Sequence, residues 1–90
     1  MDKQNLFETV ITKFGFDAQK AMAIEECAEL INALCKEKRG RAADEDIITE
    51  IADVQIMCEQ LAIIYGKEKV RQERLRKLMR LHNRIQNIEK

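Results

Sequence analysis

Apolar residues recur along this chain three and four positions apart, in four runs separated by three short breaks. That period belongs to an α-helix with one covered face. Asp2 can cap a first helix whose stripe is Leu6, Phe7, Val10, Ile11 and Phe14, and Gly15 ends it. A second helix starts at Asp17 and runs to about Lys38, with Ala21, Ile24, Ala28, Ile31 and Cys35 as a narrow seam. Arg39, Gly40 and Arg41 break the pattern. Asp44, Glu45 and Asp46 then crowd a helix N-terminus, where the macrodipole favours negative charge. The third helix carries Ile47, Ile51, Val54, Cys58, Leu61 and Tyr65, a 4-3-4-3-4 spacing suited to bundle packing, and Gly66 closes it. The fourth runs from about Lys67 towards Ile88 on Val70, Leu75, Leu78, Leu81, Ile85 and Ile88.

Composition points the same way. The chain has no proline, three glycines and abundant Leu, Ile, Ala, Glu, Lys and Arg, so the fold class is all-α, a four-helix, bundle-forming chain. Ninety residues make a single domain, residues 1–90. Helices of this length expose more apolar face than so short a chain covers by itself, so an oligomer is expected. The second and third helices, joined by a short turn, should form an antiparallel hairpin.

Charge is balanced overall but divided along the chain. Residues 1–66 hold 7 basic and 13 acidic side chains, and residues 67–90 hold 9 basic and 3 acidic. The zero total makes nucleic acid unlikely as the main partner. Cys27, Cys35 and Cys58 follow no close metal spacing and read as buried free thiols in a reducing compartment. The first residues lack the pattern of a secretion signal, and no apolar run approaches the ~20 residues of a membrane span. A cytoplasmic location and no membrane partner are expected.

Five carboxylates change the picture. Glu25, Glu26 and Glu29 lie on the second helix, Glu50 and Asp53 on the third, and no Lys or Arg stands three or four positions from any of them. Like charges at that spacing destabilise a helix by roughly 0.2–0.5 kcal/mol per pair. With the turn centred near Arg41, Glu29 lies about as far before it as Asp53 lies after it, so the two sets can meet across the hairpin. A solvated face is one reading. The apolar neighbours Ile24, Cys27, Leu30, Ile51 and Val54 favour a hard divalent cation, since all-oxygen ligands suit Mg²⁺ or Mn²⁺. Zinc is disfavoured, because no Cys or His stands three or four positions from any of the acids, and the one histidine, His82, lies elsewhere.

Glu25-Glu26-x-x-Glu29, then 20 residues, then Glu50-x-x-Asp53 resembles the signature of the MazG-like all-α nucleoside triphosphate pyrophosphohydrolases. That superfamily also holds dimeric dUTPases and phosphoribosyl-ATP pyrophosphatases. The resemblance covers roughly residues 20–85. It implies that Glu26, Glu29, Glu50 and Asp53 bind Mg²⁺ (Mn²⁺ being possible), and that Glu25 holds a second ion or orients the attacking water. Glu25 and Glu26 would be the catalytic acids. The implied reaction cleaves a nucleoside triphosphate to the monophosphate and pyrophosphate, in a homodimer or dimer of dimers. Lys77, Arg80 and Arg84 form one stripe of the fourth helix and resemble the basic segment that contacts triphosphate oxygens in that family. The rival reading is a non-catalytic helical interaction module, with the basic C-terminal helix binding nucleic acid or a protein partner.

Overall fold

Each break in the apolar pattern falls at a glycine with positive φ: Gly15, Gly40 and Gly66. Between them the computed structural model describes residues 2–89, with the side chain of Glu89 left aside. Met1 and Lys90, the ends of the expected domain, lie outside the described residues. Four helices follow in order: α1 (Lys3–Phe14), α2 (Phe16–Lys38), α3 (Asp44–Tyr65) and α4 (Lys67–Glu89). There is no strand among the described residues, and the fold is all-α. Among the described residues no helix is long and apolar enough to cross a membrane.

The helix starts follow local chemistry. Asp2 caps α1 by accepting the Asn5 N–H at 2.8 Å. Helix α2 begins one residue before the expected Asp17, which lies in its first turn. Asp44, Glu45 and Asp46 fill the first turn of α3, and the Asp46 carboxylate accepts the Ala43 N–H at 3.0 Å. The α2–α3 turn is a Schellman motif. Gly40 N–H donates to the Glu37 carbonyl at 2.9 Å and Arg41 N–H reaches back to the Lys36 carbonyl at 2.9 Å. Gly40 supplies the φ of +70° that this closure requires.

That turn sets the hairpin register. The Arg41 N–H points back to the last turn of α2. Gln19 of α2 donates to Gln60 of α3 at 2.6 Å, both side chains buried. Glu29 and Glu50 meet further along. Both pairs are centred between Arg39 and Gly40, not at the expected Arg41, so Glu29 is level with Glu50 and Glu26 with Asp53.

The covered face of α2 also differs from expectation. Its buried or half-buried positions are Gln19, Lys20, Ala23, Glu26, Leu30 and Ala33, while the expected seam of Ala21, Ile24, Ala28, Ile31 and Cys35 is exposed throughout. The two stripes lie about 160° apart at ~100° per residue. The hairpin closes on the small side chains Ala23 and Ala33, and the large apolar residues face outward. On α3, Ile47 is buried and Val54 and Leu61 are half-buried as expected. Ile51, Cys58 and Tyr65 are exposed, and Met57 and Gln60 are buried in their place. The three cysteines are exposed free thiols, contrary to the buried placement, because they sit on these outward faces.

Helix α1 lies against both members of the hairpin and buries Phe7 and Ile11, leaving Leu6 and Phe14 exposed. Helix α4 is different. Its backbone lies beside α3 alone, with Lys67 at its start donating to Gln4 of α1 at 2.8 Å. Every described side chain on it is exposed. Consequently the radius of gyration is 16.4 Å, against about 12 Å for a compact domain of this length. The accessible surface is 7272 Å², against about 5,400 Å² for a folded monomer of this mass.

Placing Ala at position 40 tests the turn. Nothing lies within 4 Å of the added Cβ, so the cost is conformational and not steric. Gly40→Ala should lower stability by about 1–2 kcal/mol in urea unfolding, the penalty for an L-residue in the left-handed region.

Candidate metal centre

Glu26 lies on the covered stripe of α2, between Ala23 and Leu30, where helical period would place an apolar residue. Glu29 stands one turn on at its flank. Opposite them, Glu50 is one turn beyond the buried Ile47 on α3. The register therefore brings three carboxylates together: one oxygen from each of Glu26, Glu29 and Glu50 lies within 4.8 Å of the other two. Glu26 and Glu50 are half-buried and Glu29 is exposed.

Two atoms single out this arrangement. The Oε2 atoms of Glu26 and Glu50 are closed off from solvent and have no hydrogen-bond partner. Buried polar groups are otherwise satisfied, and leaving one unmatched is destabilising, more so when it is charged. Both carboxyls are pushed above the ordinary glutamate range. For each the leading cause is loss of hydration, followed by the charge of Glu29 and then that of Asp53. Both carboxyls retain partial contact with water, while their inner oxygens face only protein.

The other expected site residues fall in different places. Asp53 is half-buried, and its charge acts on both Glu26 and Glu50, but it stands outside the set of three within 4.8 Å. Glu25 is exposed and lines a separate recess between α1 and α2 with Val10, Phe14 and Met22. It is one residue from Glu26 and so points about 100° away around the helix. Lys77 lies along the exposed face of α4 beside Val70, Leu78 and Leu81, with its Nζ 4.0 Å from Glu73. Arg80 and Arg84 are exposed on the same helix. None of these three cations lines the recess beside the acids.

Other cations stand there instead, and the sequence reading passed over them. An open recess of about 350 Å³ abuts the cluster, lined by Glu29, Asn32, Lys36, Arg41, Asp46 and Glu50, with Ala33 and Ala42. Lys36 is seven residues after Glu29, two turns on along the same helix flank. That spacing was visible in the sequence. Arg41 was not, since only the turn geometry brings it to the recess.

The donor set suits a hard divalent cation: carboxylate oxygens only, converging from two helices, with buried oxygens that lack a donor. Glu26, Glu29 and Glu50 would hold it, with Asp53 adjoining. The chain finds no match among models of known protein families, among curated proteins or among solved structures.

A stability consequence follows from the raised carboxyls. A folded acid that titrates above its unfolded value binds protons more tightly in the native state, so stability falls as pH rises past the ordinary 4.5. Metal-free protein should lose thermal stability through the range above pH 4.5, and millimolar Mg²⁺ or Mn²⁺ should remove that slope. Glu26→Gln and Glu50→Gln should each flatten it without metal. Thermal melts across pH check this, and equal slopes in wild type and both variants would refute it.

Proposed function

We propose that the chain is a Mg²⁺-dependent nucleoside triphosphate pyrophosphohydrolase of MazG-like type, converting an NTP or dNTP and water to the monophosphate and pyrophosphate. The observation that carries this reading is the convergence of Glu26, Glu29 and Glu50 with two buried oxygens lacking any donor. Their spacing, together with Asp53, resembles the signature of that family. When bound, Mg²⁺ supplies charge neutralisation of the phosphates and a water of lowered pKa. The side chains hold the rest of the task. Glu29, Glu50 and Asp53 would hold the cation, and Glu26 would both bind it and accept the proton of the attacking water. Phosphoryl-group hydrolysis asks for positioning and electrostatics, with little covalent chemistry from the protein.

In this reading the working form is a homodimer or a dimer of dimers. The support is surface. The excess over a compact monomer is about 1,800 Å² per chain, and stable homodimers bury roughly 2,000–5,000 Å² in total. Ile24 and Ile31 on α2 are exposed by 72% and 63%. Along α4, Leu75, Leu78, Leu81 and Ile85 form an uncovered stripe. Glu25, Lys77, Arg80 and Arg84 act in this form if a second chain brings them to the acids. Sedimentation should give a dimer or larger at micromolar protein, and Leu78→Glu with Leu81→Glu should shift it towards monomer.

A second reading has one specific observation behind it, the fully exposed basic α4. In it the chain is a helical interaction module. A panel of NTPs and dNTPs with Mg²⁺, followed by pyrophosphate release, separates the two. Turnover of at least one nucleotide is expected. No turnover combined with tight, salt-sensitive DNA or RNA binding would sink the hydrolase reading. Glu50→Gln should reduce turnover by at least a hundredfold and weaken Mg²⁺ binding, with helicity by circular dichroism unchanged.

A further inference from the structure

The recess beside the acids carries an inference that rests on the hydrolase reading and goes beyond it. Along α2, one flank presents Glu26, Glu29, Asn32 and Lys36 in sequence, from the level of Asp53 towards the turn. Across from it α3 presents Glu50 and then Asp46, and Arg41 closes the end. The recess is thus acidic where it meets the carboxylate cluster and cationic two turns further on, about 10 Å along the axis.

The backbones of the two cationic residues are tied together, and their side chains are not neutralised. Arg41 is tied to Lys36 by its N–H on the Lys36 carbonyl, 2.9 Å, within the Schellman turn. Yet neither side chain makes an ion pair with any described carboxylate, although Glu29, Asp46 and Glu50 line the same recess. The carboxylates converge on one another, and the cations stay apart from them. Lys3, Arg71, Arg76 and Lys77 stand within ion-pair distance of an acid, whereas Lys36 and Arg41 do not, although acids line the recess with them. Unpaired cations beside an unpaired acidic cluster suit a ligand that is bound through a cation at one end and is itself anionic at the other. Arginine and lysine with an amide at Asn32 are the donors that phosphate oxygens take.

We propose that Lys36 and Arg41 bind the pyrophosphate portion of the substrate, so that the leaving diphosphate lies over the α2–α3 turn in the recess of the same protomer. The β- and γ-phosphates then extend from the acidic cluster towards the turn, and Asn32 donates to them from between. Lys36 and Arg41 are binding residues that act on the leaving group. They do not touch the metal ligands' protons.

The experiment is a calorimetric titration of the full chain with inorganic pyrophosphate in the presence of Mn²⁺. It compares wild type with Lys36→Gln, Arg41→Gln and the double variant, with Lys38→Gln, an exposed neighbour outside the recess, as control. The double variant should bind pyrophosphate at least tenfold more weakly, and Lys36→Arg should restore most of the loss of Lys36→Gln. Mn²⁺ affinity alone and helicity should be unchanged in all of them. Unchanged pyrophosphate affinity in the double variant overturns the proposal, as does an equal loss in Lys38→Gln. The nucleotide panel is run alongside. Turnover with unaltered KM and unaltered inhibition by pyrophosphate in the double variant removes this subsite and leaves the hydrolase reading standing. Pyrophosphate binding that depends on Lys36 and Arg41, without turnover of any nucleotide by wild type, removes the hydrolase reading and supports a diphosphate-binding recess.

Discussion

The register of the α2–α3 hairpin is the constraint on which the rest of the molecule depends. It is fixed at two points, the Schellman turn at Lys36–Arg41 and the buried amide pair of Gln19 and Gln60. Slipping one helix along the other would leave both amides buried without partners, at about 1–3 kcal/mol each. The core around them is thin. Ala23 and Ala33 on α2 meet a partner face led by Ile47 and Met57, and no side chain among the described residues is completely enclosed. Small residues let the two backbones approach, and polar pinning then decides the level at which they meet.

That same register forces three carboxylates into one place. The fold would be more stable with an apolar residue at position 26, since the stripe there is otherwise Ala23, Leu30 and Ala33. Keeping an acid on a covered stripe, facing another across the hairpin, is a local conflict of the kind found at functional sites. Removing one carboxylate would relieve the repulsion, and a cation held by all three would do the same. Binding of such a cation would then stabilise the hairpin.

Charge distribution extends this logic beyond the hairpin. The body is acidic and α4 basic, but α4 is engaged within its own chain only near its start. Its acids Glu68 and Glu73 are pulled below the ordinary range by Arg71 and Arg76, which hydrogen-bond them, so part of the basic charge is spent along the helix itself. The cations left over are available to whatever covers the apolar stripe beside them. The recess at Lys36 and Arg41 is independent of that covering, because both its walls belong to one hairpin.

Local signals in the sequence determined the elements. Glycines in the left-handed region, an aspartate cap and an acidic first turn act over a few residues, and the helices start and stop within a residue or two of where those signals stand. The carboxylate spacing on each helix was equally visible, because i, i+3 and i+4 positions are neighbours whatever surrounds the helix. Which face of α2 turns inward was not visible. The larger apolar residues Ile24 and Ile31 suggested one seam, but close approach of two helices selected the nearly opposite stripe of Gln19, Ala23 and Ala33. Nor could spacing within a helix tell Glu25 from Glu26, or bring Arg41 to the acids, since both depend on rotation about the axis and on the path of the turn. The sequence by itself determined four helices and a set of acids without partners. Only the tertiary structure decided which acids face one another, because register and rotation are settled by packing and buried hydrogen bonds between residues 21 to 41 positions apart.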